Sequence, residues 1–100
     1  MSLTPVVGVL RVTLHLPESA SLKAKRQVVA GLLRRVRARY QVAAAEVGDR
    51  DRWQVAHLAV ACVSADGRHA DEILAHVPAF VEAESREAQV TQVTTELLHV

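Results

Sequence analysis

The sequence predicts an α+β domain: a four-stranded antiparallel sheet with two helices on one face, in the order βαββαβ. Three observations carry this reading. Apolar residues alternate near the start of the chain, two later stretches repeat their apolar residues at three, four and seven, and β-prone segments lie between and after them.

From Val6 to Leu16 the chain reads VVGVLRVTLHL, and between Leu10 and Leu16 the apolar residues alternate with Arg11, Thr13 and His15. Period two of this kind marks a strand with one face half exposed. Pro17 removes a ladder donor and Ser19 to Ser21 offer capping oxygens, so the chain turns and a helix starts, with Ser21 as the preferred cap. Leu22, Val29, Leu32, Leu33, Val36 and Tyr40 then share one stripe of a helix running to about Arg39. Tyr40 to Val47 reads as a short strand, ended by Gly48 and the polar run Asp49, Arg50, Asp51, Arg52, which suits a hairpin loop.

Trp53 to Ser64 is a third strand, apolar on both faces as a central strand should be, and Asp66 with Gly67 breaks it. Ala70, Ile73, Leu74, Val77, Phe80 and Val81 make the apolar stripe of a second helix whose other side carries Asp71, Glu72 and Glu82. Pro78 sits inside it, so a bend near Leu74 to Val77, or a helix that ends there, is expected. Gln89 to Val100 is the fourth strand, with a bulge where the apolar spacing changes from three to two. Two right-handed βαβ halves joined by a hairpin give the ferredoxin-like arrangement, with strands one and three central and one sheet face uncovered. Residues 1–100 have room for a single domain of this kind.

Half of the residues are apolar but only Tyr40, Trp53 and Phe80 are aromatic, so the core must be built from Val, Leu, Ile and Ala. Cys62 is the sole cysteine, which excludes an internal disulfide and fits a reducing cytoplasm. The start MSLTPVV lacks the basic segment of a signal peptide, and no apolar run approaches the roughly 20 residues needed to span a bilayer. A soluble cytoplasmic protein is the expectation.

SLKAKRQVV (Ser21 to Val29), following VGVLRVTLHLP (Val7 to Pro17), resembles the signature of the YlxP-like family of small bacterial proteins, a domain of unknown function. AEVGDRDRWQ (Ala45 to Gln54) resembles that family's second block, and the likeness extends over nearly the whole chain. It implies a ferredoxin-like fold, a cytoplasmic location and no established enzymatic activity. The neighbourhood of family genes to those for translation initiation and ribosome maturation implies a role with RNA or the ribosome. Pro78 departs from the family pattern, and the family supplies no assigned catalytic or ligand residues.

The formal charge of +1 hides a local asymmetry, because seven of the twelve basic residues lie between Lys23 and Arg39 with no acid among them. At 100° per residue Lys23, Arg26, Arg34 and Arg37 share one flank of the first helix. Like charges so spaced cost roughly 0.2 to 0.5 kcal/mol per pair, which phosphate would relieve. The bland alternative is a solvated face whose arginines cover apolar surface or pair with acids such as Glu82 or Glu84. Lys25 projects onto the apolar side instead, where its ammonium is expected to snorkel past the end of the sheet.

Other chemistries of this fold fail their tests. An RNA-recognition motif needs aromatic residues on its central strands, and Val6 to Leu16 and Val55 to Ser64 have none. A metal chaperone needs Cys-x-x-Cys, and an acylphosphatase-like site needs a phosphate-cradling loop where this chain has Pro17-Glu18-Ser19-Ala20. His15, His57, His69, His76 and His99 are scattered, and His69 and His76 lie about 10 Å apart on a helix, so surface histidines and no metal are expected. Cys62 reads as an inert thiol, the four glycines match no nucleotide fingerprint, and Asp49 and Asp51 among arginines read as a solvated turn. No nucleophile with its base is nominated, no cofactor is called for, and an enzyme is not expected.

Two functions remain. The first is RNA or ribosome-assembly binding through Lys23, Arg26, Arg34 and Arg37. The second is a homo-oligomeric or small-ligand module using the open sheet face. With Leu10, Val12 and Leu14 toward the helices, that face presents Val7, Val9, Arg11, Thr13 and His15, and Trp53 beside the hairpin is a candidate partner anchor or a lid over its end.

Overall fold

A computed structural model describes residues 3–100; Met1 and Ser2, the start of the segment read above for a leader, lie outside the described residues. The elements are β1 (Val6–His15), α1 (Leu22–Tyr40), β2 (Ala43–Val47), β3 (Val55–Ser64), α2 (Gly67–Ala75), α3 (Val77–Glu84) and β4 (Gln89–His99). The four strands pair antiparallel in the order β2-β3-β1-β4, which places β1 and β3 in the centre as the sequence predicts.

Alternation along β1 sends Val6, Gly8, Leu10, Val12 and Leu14 into the core, while Val7, Val9, Thr13 and His15 stay half-buried and Arg11 exposed on the other face. Ala56, Leu58 and Val60 of β3 do the same beside them. A Cβ on Gly8 would stand 2.8 Å from Leu74 Cδ1, so the missing side chain is what lets α2 lie close on β1.

Ser21 caps α1, its hydroxyl accepting from the Ala24 N–H at 3.0 Å. Gln41 ends the helix in the left-handed region at φ 54°, donating its N–H to the Arg37 carbonyl. The apolar stripe of Val29, Leu32, Leu33 and Val36 closes over the sheet, and Leu74, Val77 and Val81 complete the core from the other helical segment. Tyr40 remains helical and Trp53 and Gln54 belong to the loop, so the second and third strands are shorter than their apolar runs suggest.

Pro78 divides the second helical stretch, as expected. His76 serves as end of α2 and start of α3, and the proline occupies the first positions of α3, where its missing N–H would have no partner in any case. The predicted bulge is also present. Thr13 pairs with Gln92 but Leu14 with Val90, leaving Thr91 as the extra residue of β4.

Candidate functional site

The two blocks that carry the family resemblance meet in space around Lys25. Its side chain is entirely buried, which corrects the expectation of a snorkelling ammonium. Nζ donates to the Asp49 carbonyl and to the Val55 carbonyl, each at 3.0 Å, and lies 2.9 Å from Glu46 Oε2. Two hydrogen bonds to carbonyls and the charge of Glu46 beside it thus compensate the buried ammonium, so it has no reason to seek solvent. The acceptors sit at the end of β2, in the β2–β3 loop and at the start of β3, so one lysine closes the loop at its neck. Leu16 N–H to the Gln54 carbonyl and Gln54 Nε2 to the Pro17 carbonyl tie the loop to the end of β1.

The loop turns through Gly48 at φ 59° and Asp49 at φ 40°. A left-handed aspartate is strained, and its two attachments offset that strain. Lys25 holds the Asp49 carbonyl, and His57 Nε2 lies 2.7 Å from Oδ2. The hydrogen bond from His57 holds the Asp49 carboxyl below its ordinary range, with the charges of Arg52 and Lys25 adding to it against a counteracting desolvation. His57 Nδ1 in turn meets Thr13 Oγ1 at 2.9 Å. His57 is therefore no isolated surface histidine, and Asp49 is no merely solvated turn residue. Sequence patterns missed this chain because its members lie far apart along the sequence and meet only through the β1–β3 register, which sets Thr13 opposite His57.

Lys23, Arg26, Arg34 and Arg37 are all exposed on one flank of α1. Among the described residues none of the four joins an ion pair. The acids named as alternatives are engaged elsewhere: Glu84 pairs with Arg35 at 3.8 Å, and Glu82 accepts from the Val90 N–H. Arg37 differs from the other three because its guanidinium also donates to the Ala44 carbonyl, with Nε at 3.1 Å. Arg26 and Arg37 share a shallow cleft with Arg50 from the β2–β3 loop, so the basic flank continues onto a residue that helix periodicity had no means of finding.

The open sheet face has two unlike halves. At one end Val7 lies between Val63 and Leu98, and the next row runs from Ala61 through Val9 to Glu96. Val63 is 73% exposed there. Arg11 pairs with Glu96 across the strands at 3.4 Å, with both side chains in solvent. Trp53 is 54% exposed in the β2–β3 loop beside Asp51, Arg52, Gln54 and Val55. Cys62 is half-buried near the Ala70 carbonyl, and burial pushes its thiol up. Among the described residues no three His, Cys, Asp or Glu side chains gather as metal ligands, and no helix is long and apolar enough to cross a membrane.

This architecture defines a ferredoxin-like α+β domain. Two designed proteins show the same fold: De novo designed protein Foldit4, at TM-score 0.51 and 15% identity over 92% of this chain and 96% of that one, and designed protein LFR1 1 with ferredoxin fold, at 0.51 and 14% over 94% and 83%. The chain belongs to the family described as Protein of unknown function (DUF503), whose profile matches residues 7–95. It is 33% identical over 66 residues to the Uncharacterized protein YlxP of Bacillus subtilis (strain 168), a match covering 66% of this chain and 72% of that protein. The resemblance read from the two sequence blocks is thereby confirmed.

Proposed function

We propose that the protein binds RNA through its phosphates along the outer flank of α1, does no chemistry on that RNA, and acts in the cytoplasm on ribosomal RNA or a ribosome-assembly intermediate. The observation that supports this most is the run of Lys23, Arg26, Arg34 and Arg37, four exposed cations on one flank with no carboxylate among the described residues satisfying them. Water alone leaves their mutual repulsion in place, whereas a polyanion relieves it and releases counterions. The absence of aromatic platforms on β1 and β3 favours reading of shape and backbone over reading of bases.

The test is binding to ribosomal subunits as a function of salt, with Arg26→Gln and Arg34→Gln combined. These two are preferred because Arg37 has a second task at the sheet edge. The slope of log affinity against log salt should shrink by about 0.7 for each phosphate that is no longer neutralised. An unchanged slope, or no binding by the unaltered protein at low salt, overturns the reading.

The apolar half of the open face favours a second reading, a homodimer. Val7, Val9, Val63 and Leu98 form a patch bordered by the Arg11–Glu96 pair, an apolar centre with a charged rim of the kind a second copy of the chain could cover. Sedimentation equilibrium tests it: a species that stays monomeric at about 100 μM, well above the Kd range of weak specific dimers, removes it.

A further inference from the structure

The hairpin end of the open face holds a constellation that neither the family likeness nor the basic flank accounts for. Asp49 is an ionised carboxylate and can only accept, so His57 Nε2 carries the ring proton and Nδ1 is left to accept from the Thr13 hydroxyl. Hydroxyl, imidazole and carboxylate then stand in hydrogen-bonded sequence, at 2.9 and 2.7 Å. Geometry of this kind, rather than order along a chain, is what makes a weak hydroxyl a nucleophile.

The surroundings suit a reacting carbonyl. Arg11 lies two residues from Thr13 on the same strand and face, and Gln92 and Thr94 face Thr13 and Arg11 across β4. Together with Val47 they line a depression of about 290 Å³, at the small end of what ligand sites occupy. Next to it Ala59 pairs with both Arg11 and Ala45, so the face is low and apolar where a short acyl chain would lie.

We propose that Thr13 is a nucleophile toward activated esters of short acyl chains, with His57 as its base and Asp49 as the residue that positions His57. Thr13 Oγ1 bonds to the carbonyl carbon while its proton passes to His57 Nδ1. The tetrahedral intermediate collapses, the ester C–O bond breaks, and the proton leaves with the alcohol. Water then attacks the acyl-threonine with His57 again taking the proton, which releases the carboxylic acid and restores the hydroxyl. This activity lies on the sheet face opposite α1 and is independent of the RNA reading.

The experiment is incubation of the full chain with p-nitrophenyl acetate, following p-nitrophenolate optically and locating the acetyl group by peptide mass spectrometry. Acetyl is expected on Thr13, retained at the hydroxyl of Thr13→Ser, abolished in Thr13→Val, and formed about 100-fold more slowly in His57→Gln. Circular dichroism establishes that each variant is folded. Asp49→Asn should slow the acetylation of Thr13 and Asp49→Glu should restore much of the rate, whereas a purely structural role would leave both folded variants at the parent rate. No adduct on Thr13, undiminished labelling in His57→Gln, or an unslowed rate in Asp49→Asn overturns the proposal.

Discussion

Lys25 of the first helix and Glu46 of the edge strand form an ion pair 2.9 Å long, with side chains 0% and 12% exposed. A buried charge left alone is far more costly than a buried pair replaced by apolar groups. Lys25→Met strands Glu46 and deprives the Asp49 and Val55 carbonyls of their donor, so it should cost about 3 to 5 kcal/mol in urea unfolding. Adding Glu46→Leu should recover much of that stability. A single-variant cost below about 1 kcal/mol, the scale of an exposed pair, would show that the loop does not depend on this ammonium.

The depressed carboxyl of Asp49 gives stability a pH signature. Its folded value lies below the ordinary 3.8, so the stabilisation is fully present above 3.8 and disappears as pH falls through the lower folded value. Asp49→Asn should therefore be less stable than the parent at pH 6, with the gap closing below pH 3.8. Denaturant midpoints at several pH values measure this directly, and a gap that stays constant contradicts it.

Gly8 should tolerate no side chain without rearrangement. The Cβ of Gly8→Ala would meet Leu74 Cδ1 at 2.8 Å, and Leu74 is itself fully buried. Overpacking of this kind costs about 1 to 3 kcal/mol. Thermal unfolding of Gly8→Ala checks it; an equal or higher midpoint means that α2 withdraws from β1 without penalty.

Pro78→Ala should have a small effect. The proline is the second residue of α3, where no N–H partner is forfeited, and the cap His76 is already in the helical region at φ −81° and ψ −18°. Only the unfolded chain gains freedom, so the expected destabilisation is about 0.4 to 1 kcal/mol. A larger effect in chemical denaturation would assign Pro78 a packing role.

The topology was legible because its signals are local. Alternation in β1, the Ser21 cap, the three-four-seven stripe of α1 and the Pro78 break each lie within one stretch of chain, and each appears as read. Exposure of the basic flank was legible for the same reason. The destination of Lys25 was not, because its partners come from a strand and a loop whose register no helix pattern specifies. Without those carbonyls and Glu46, snorkelling was the only outlet that periodicity offered. The link from Thr13 to His57 to Asp49 was hidden likewise, since it requires the β1–β3 pairing together with a left-handed Asp49.

The bond from Arg37 to the Ala44 carbonyl has a consequence for life at high concentration. β2 is a bordering strand of small residues, and an unguarded ribbon of that kind invites a second ribbon to add onto it. A cation seated on its outward carbonyl makes such an addition displace the guanidinium first. The same arginine that offers charge on the helix thus stands in the way of a strand added at this edge.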